Sequence, residues 1–182
     1  MKKIALLAVV AIAATFTSCD DKDLLDIALD GKIDKILNVA TTIETDSTTF
    51  TDAFTFSLSD NEEFAKYGDK IKSVSVSKIS IEVDKVNVGE DDTAIEGLFQ
   101  AFISTTSSID VSFEKVNVKD AETNNTVIVE YSLTGEEAAA FGEQLLSAGE
   151  ASFIATGTIY NAPADVDLKV SIEASLTASP LN

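Results

Sequence analysis

From Val166 to Ala178 seven apolar residues alternate without a break with polar or charged ones. Val166, Leu168, Val170, Ile172, Ala174, Leu176 and Ala178 share one phase, and Asp167, Lys169, Ser171, Glu173, Ser175 and Thr177 the other. Period two over that length is the pattern of a long β-strand with one face buried and one in water. Pro180 ends it, because proline has no amide to give a ladder. Such a strand needs partners, and the sequence offers them. Phe50, Phe54, Phe56 and Leu58 alternate with small polar residues, as do Val127, Val129, Tyr131 and Leu133; Phe153, Ala155 and Ile159 form another candidate, and Leu37, Val39 and Ile43 a weaker one.

A repeat adds two more. Ile79-Ser-Ile-Glu-Val-Asp-Lys-Val-Asn-Val88 matches Ile109-Asp-Val-Ser-Phe-Glu-Lys-Val-Asn-Val118. In both copies the apolar phase slips by one residue, from Val83 to Val86 and from Phe113 to Val116. A one-residue slip turns every later side chain to the other face, so it predicts a bulge or bend at Asp84-Lys85 and at Glu114-Lys115. One pair is too few for a repeat architecture, and two sheet strands obeying the same bend explain it better than two equivalent binding strands. Seven to eight strands in this length predict a mainly β chain, an antiparallel sandwich of the immunoglobulin-like or jelly-roll-like kind over residues 24–182. Asn161-Ala-Pro-Ala-Asp165 reads as the loop of a long hairpin.

Two or three short helices are expected. Thr134-Gly-Glu-Glu137 has capping-box spacing, Ala138, Phe141, Leu145 and Ala148 share a face, and Gly149 can close the end. Thr93-Ala-Ile-Glu96 has the same spacing, followed by Leu98, Phe99 and Phe102; Gly97 argues against a helix there and leaves a strand open. Ser59 to Tyr67, closed by Gly68, suits one or two helical turns.

The N-terminus has a different logic. After Lys2 and Lys3 come 13 residues without charge, Ile4 to Phe16. That is too short to span a bilayer, which takes about 20 residues, and fits the apolar region of a secretory signal. Thr17, Ser18 and Cys19 follow, then Asp20, Asp21, Lys22 and Asp23. Phe16-Thr17-Ser18-Cys19 resembles a bacterial lipobox, with Phe where that pattern prefers Leu, Val or Ile. The Ser-Cys ending followed by Asp is similar to surface lipoproteins of Bacteroidota-type bacteria. The resemblance covers about the first 23 residues. It implies a signal peptide over 1–18, lipidation of Cys19, a tether over 19–23, and a place on the outer membrane, at the cell surface or on the periplasmic face. The alternatives are a cleaved secretory signal with an incidental cysteine, or an uncleaved anchor. Thioether-linked acyl chains would use the chain's single sulfhydryl, which in an oxidising compartment is otherwise a liability.

Charge narrows the partners. There are 13 Lys+Arg, all of them Lys, against 31 Asp+Glu, and no His or Trp. A net charge of -18 opposes nucleic acid, which requires clustered cations. Without Lys2 and Lys3 the remainder carries -20; an anionic membrane surface would repel it, so the membrane is a partner only through lipid on Cys19. One-signed charge also favours a monomer.

His-based triads and His metal sites are impossible, as is a disulfide within the chain. No cofactor is expected. Carboxylate pairs could hydrolyse glycosides, but 31 acids make chance pairs inevitable, and the aromatics suited to glycan platforms reduce to Tyr67, Tyr131 and Tyr160. Glu90-Asp91-Asp92, and Asp165 with Asp167, are oxygen clusters of the type Ca²⁺ prefers, though without the alternating spacing of a dedicated loop. Asp46-Ser47-Thr48 and Asp92-Thr93-Ala94 resemble the O-glycosylation motif of Bacteroidota exported proteins. The expectation is therefore a non-catalytic surface module for binding, adhesion or structure, with an unknown protein or glycan partner. The alternative is a glycan-binding accessory protein or a carboxylate-dependent hydrolase of a polysaccharide-uptake system.

Overall fold

A computed structural model describes residues 26–104 and 107–180. Cys19 and the signal region lie outside the described residues. Six strands are present among them: β1 (Ile27–Ser57), β2 (Ile71–Val88), β3 (Ala94–Phe102), β4 (Ser108–Asn117), β5 (Val127–Ser132) and β6 (Glu150–Ala178). Three helices join them: α1 (Glu62–Ala65), α2 (Val118–Asn124) and α3 (Gly135–Ala148), with single 3₁₀ turns at Leu58–Asp60 and Gly68–Lys70. All strand pairing is antiparallel. None of these helices is long and apolar enough to cross a membrane.

The two longest strands organise the molecule. β6 pairs with β1 along its whole length, from Glu150 opposite Ser57 to Ala178 opposite Ile27. Its other edge is shared: the first half of β6 carries β3 and then β4, and the second half carries β2 and then β5. Both long strands bend together, β1 between Thr41 and Thr45 and β6 near Asn161, whose backbone is left-handed at φ 55°. β1 doubles back far enough that the segment just after it reaches its beginning. Asn61 Nδ2 donates to the Lys32 carbonyl at 3.0 Å, and Phe64 lies against Gly31. The result is the expected mainly β sandwich, with two four-stranded layers that share their two long strands. The strand candidates at Leu37–Ile43 and Phe50–Phe56 belong to one strand, with Leu58 starting the 3₁₀ turn after it, and those at Phe153–Ile159 and Val166–Ala178 belong to another; the number among the described residues is therefore six.

The Asn161–Asp165 loop expectation is corrected by the same feature. Backbone pairing continues through it, with Ala162 opposite Thr45 and Ala164 opposite Thr41, and the Ala162–Pro163 bond is cis. The two outer segments are not a hairpin but one bent strand. Both predicted bulges are present. β2 shifts register against β6 between Val83 and Lys85, leaving Asp84 over. β4 sets Glu114 and Lys115 against the single residue Glu96 of β3. Beyond the second bulge the repeat breaks down: Val88 ends a strand and is exposed, whereas Val118 is buried and starts α2, capped by Asn117.

The alternation around Val170 sorts the faces. Val166 through Ala178 in the even phase are all buried, Val170 completely. Rings from the β1–β6–β3–β4 layer and from α3 meet in the core: Phe153 stacks on Phe54 at 5.3 Å, meets Phe56 edge-on at 4.9 Å and lies 5.7 Å from Phe141. Offset and edge-on rings add to their area burial. α3 keeps both ends foreseen for it. Thr134 and Glu137 form the capping box, and Gly149 closes the helix at φ 78°. Amide and hydroxyl donation from Thr134, then the Tyr131 hydroxyl, hold the Glu137 carboxyl below its ordinary pKa.

Lys169 faces outward as the alternation requires, yet it is far from free. Its ammonium is paired with Glu82 and lies near Asp34 and Asp84, which raise its pKa, Glu82 most of all. Lys169→Asp would remove the cation paired with Glu82 and leave a fourth carboxylate among three, of which Asp34 keeps Lys32 at 3.5 Å. We expect a loss of about 1–2 kcal/mol, limited by solvent screening at a side chain a quarter exposed. Urea melts at 50 mM and 500 mM NaCl check it: the deficit against wild type should shrink in high salt.

Candidate functional site

The joint bend of β1 and β6 makes one end of the sandwich, here called the tip. The β2–β3 turn closes it. Thr93, fully buried, supplies the turn's hydroxyl: it accepts from the Glu90 amide at 2.8 Å and donates to the Asn161 carbonyl at 2.9 Å. Asn161 Nδ2 returns a bond to the Asp92 carbonyl, and Asn117 Nδ2 holds the Asp91 carbonyl. Thr93 therefore serves as turn chemistry rather than as a helix cap. Residues 94–102 run on as β3, so the strand left open for this segment is the one found. A buried, doubly bonded Thr93 also offers no accessible oxygen for glycosylation, while Ser47 is exposed.

The tip carries an open depression of about 490 Å³, lined by Glu44, Asp46, Glu90 and Asp92 with Asn161 and Pro163. Two of these acids were not anticipated. Glu44 and Asp46 arrive only because β1 bends there, and Glu90 and Asp92 because the turn is closed by Thr93. Asp91 points elsewhere, to Lys119 Nζ at 3.0 Å. The second acidic pair stands apart. Asp165 and Asp167 are held by side-chain amides from both flanking strands, Asn38 at 2.7 Å to each and Asn87 at 3.3 Å to each. Among the described residues no three acidic side chains stand in an arrangement that could hold a metal ion.

The three tyrosines have separate fates. Tyr67 packs against the core. Tyr131 donates to Glu137 at 2.9 Å and so belongs to the cap of α3. Tyr160 lies on the outer face of the β1–β6–β3–β4 layer. Its hydroxyl donates to Glu96 at 2.6 Å, and Lys115 Nζ stands 3.8 Å above its ring. Glu96, with burial second, pushes the phenol pKa upward. Glu96 also borders a shallow depression of about 310 Å³, together with Leu98, Thr156 and Thr158. That is one carboxylate beside one tyrosine, not a facing pair.

No family model matches the chain, and no curated protein is similar to it in sequence. Two solved virus structures share its rough outline. Desmodium yellow mottle tymovirus is 10% identical, with 100% of this chain and 98% of that one covered and a TM-score of 0.37. Cocksfoot mottle virus is 14% identical, with 93% and 94% covered and a TM-score of 0.44. At those scores neither likeness bears on what this chain does.

Proposed function

We propose that this protein is a lipid-anchored, non-catalytic β-sandwich module of the outer membrane, displayed for binding, adhesion or structural contact. The observation that carries the reading is the uncharged run from Ile4 to Phe16 that stops just before the single cysteine, with acids immediately after it. The fold suits that role. β1 begins at Ile27, eight residues after Cys19, and the first half of the strand climbs from there to the acid-lined tip. At about 3.3 Å per residue the climb from Ile27 to Thr41 is roughly 45 Å. A tether at Cys19 would hold the end of the sandwich that carries α1 and present the other. The missing residue types exclude the common nucleophile and base pairs, which favours binding over turnover.

The test is anchorage. Wild-type protein should sediment with membranes and take up labelled fatty acid. Cys19→Ala should be released or accumulate uncut, without label. Label entering the Cys19→Ala protein, or wild type that stays unlabelled and soluble, overturns the reading. Protease treatment of intact cells distinguishes the cell surface from the periplasmic face.

A further inference from the structure

β1 is an edge strand over all of its 31 residues. β6 lies along one side of it and, among the described residues, no strand lies along the other. An open edge is a row of unpaired amides and carbonyls, which natural chains blunt with lysine or proline or cover with another segment. The first half of β1 is treated in that way. Asp30, Lys32, Asp34 and Lys35 charge it, Asn61 Nδ2 takes the Lys32 carbonyl, and Lys35 is paired with Asp60 of the following turn at 2.9 Å. The second half is not. From Ser47 to Ser57 there is no lysine, proline or glycine, and Asp52 is the only charge. Seven of these eleven residues are Thr or Phe, both strong strand formers. Two bonds give the direction of the free groups. The Ala53 amide donates to the Asp52 carboxylate at 2.8 Å, and the Ser47 carbonyl accepts from the Thr45 hydroxyl at 3.2 Å. Neither group is spent on β6, and backbone direction alternates along an antiparallel strand. The odd residues from 47 to 55 therefore aim N–H and C=O away from β6, and Thr49, Thr51, Ala53 and Thr55 are all exposed.

We infer that this edge, from Ser47 to Thr55, pairs antiparallel with the same edge of a second copy of the chain. Charge selects the occupant. Copies at -18 each repel one another, so they can meet only where each is least charged, and this stretch offers one acid. A cationic strand would find that one acid here against four at the tip, Glu44, Asp46, Glu90 and Asp92. The pairing is self-complementary. With the two-fold axis at Thr51, the outward backbone groups of Thr51 meet those of Thr51 in the second copy, and those of Thr49 meet Ala53. Asp52 then stands opposite Phe50 of the second copy. An axis at Asp52 would instead set two carboxylates face to face, which like charges disfavour. A joint of this kind uses one patch on both copies and closes at two. Nine residues at about 3.3 Å, across two sheets roughly 20 Å thick with their side chains, give about 600 Å² per copy. Roughly 1,200 Å² in total is the low end of specific interfaces, so the dimer is a weak one. The inference goes beyond the binding-module reading and does not require the lipid.

Light scattering on the full-length chain in non-ionic detergent, with the detergent mass subtracted, tests it between about 5 and 200 μM. Wild type should pass from monomer to dimer over that range. The midpoint should fall at lower concentration in 500 mM than in 50 mM NaCl, because salt screens the repulsion between copies. Thr51→Pro deletes one outward amide, a change an edge strand tolerates where that amide faces solvent, and should weaken the dimer roughly tenfold or more. Thr49→Lys introduces the residue that blunts natural edges and should act alike, which keeps the test open should Thr51→Pro melt early. Ser75→Lys, exposed on the β1–β6–β2–β5 layer, should leave association unchanged. Wild type that stays monomeric throughout at both salt concentrations overturns the inference. So does a dimer that survives both edge variants, including one held by lipid anchors sharing a micelle. Anchorage is read separately by fatty-acid label and fractionation of the Cys19→Ala protein, so either idea can fail without the other.

Discussion

Val170→Asp should leave the domain largely unfolded at neutral pH. Val170 has no exposure, lies in the even phase of β6, and is paired on both sides, with Lys35 of β1 and Ile81 of β2. A carboxylate there loses its water, and the cation on its own face, Lys35 across the ladder, is already paired with Asp60 at 2.9 Å. Removing the valine gives up about 1.5–3 kcal/mol of burial, and a lone buried polar group adds several more. The sum rivals the 5–15 kcal/mol total stability of an ordinary domain. Burial disfavours the charged form, so the variant should be less damaged at pH 4 than at pH 7. Near-ultraviolet circular dichroism and urea melts at both pH values measure it. A stable Val170→Asp protein would mean that the faces of β6 have been assigned the wrong way round.

That assignment was legible because it is written in one strand with a single period. So were the two bulges, since a phase slip can be read without knowing the partner strand, and α3, since both its caps lie within the segment itself. What stayed hidden depends on distant residues. Asn161-Ala-Pro-Ala-Asp165 has the composition of a loop, and only the matching bend of β1 at Thr41–Thr45 allows pairing to continue across it. Thr93 and Glu96 have the spacing of a helix cap, but their partners are Asn161 and Tyr160 of β6; tertiary bonds outbid local propensity. Val118 closes the repeat in sequence, yet Asn117 caps a helix at that point. The candidate sites divide in the same way. Glu90-Asp91-Asp92 is visible as a run, but which two of the three face the tip, and that Glu44 and Asp46 join them, follows from bends the run does not encode.

The other large effect concerns a glycine, and its sign opposes local propensity. Alanine is favoured over glycine in a helix by about 1 kcal/mol, so Gly142→Ala in the middle of α3 should stabilise the helix alone. In the protein it should do the reverse. A Cβ on Gly142 would stand 1.9 Å from the Val74 carbonyl oxygen and 2.5 Å from its carbon. Those are backbone atoms of β2, where Val74 is paired with Leu176 of β6, so they cannot rotate aside. The helix must lift by more than an ångström, which opens gaps around Phe141 and Leu145, both fully buried. Overpacking of this kind costs about 1–3 kcal/mol, and gaps left by a partly lifted helix add to it. The expected net loss is about 3 kcal/mol or more. Gly135→Ala is the internal comparison. It lies in the first turn of the same helix and its Cβ would meet nothing within 4 Å, so propensity acts unopposed and the change should be neutral or slightly stabilising. Thermal melts of the two variants decide the matter. If both shift the melting temperature in the same direction, α3 does not sit on the backbone of β2, and the close approach at Val74 is wrong.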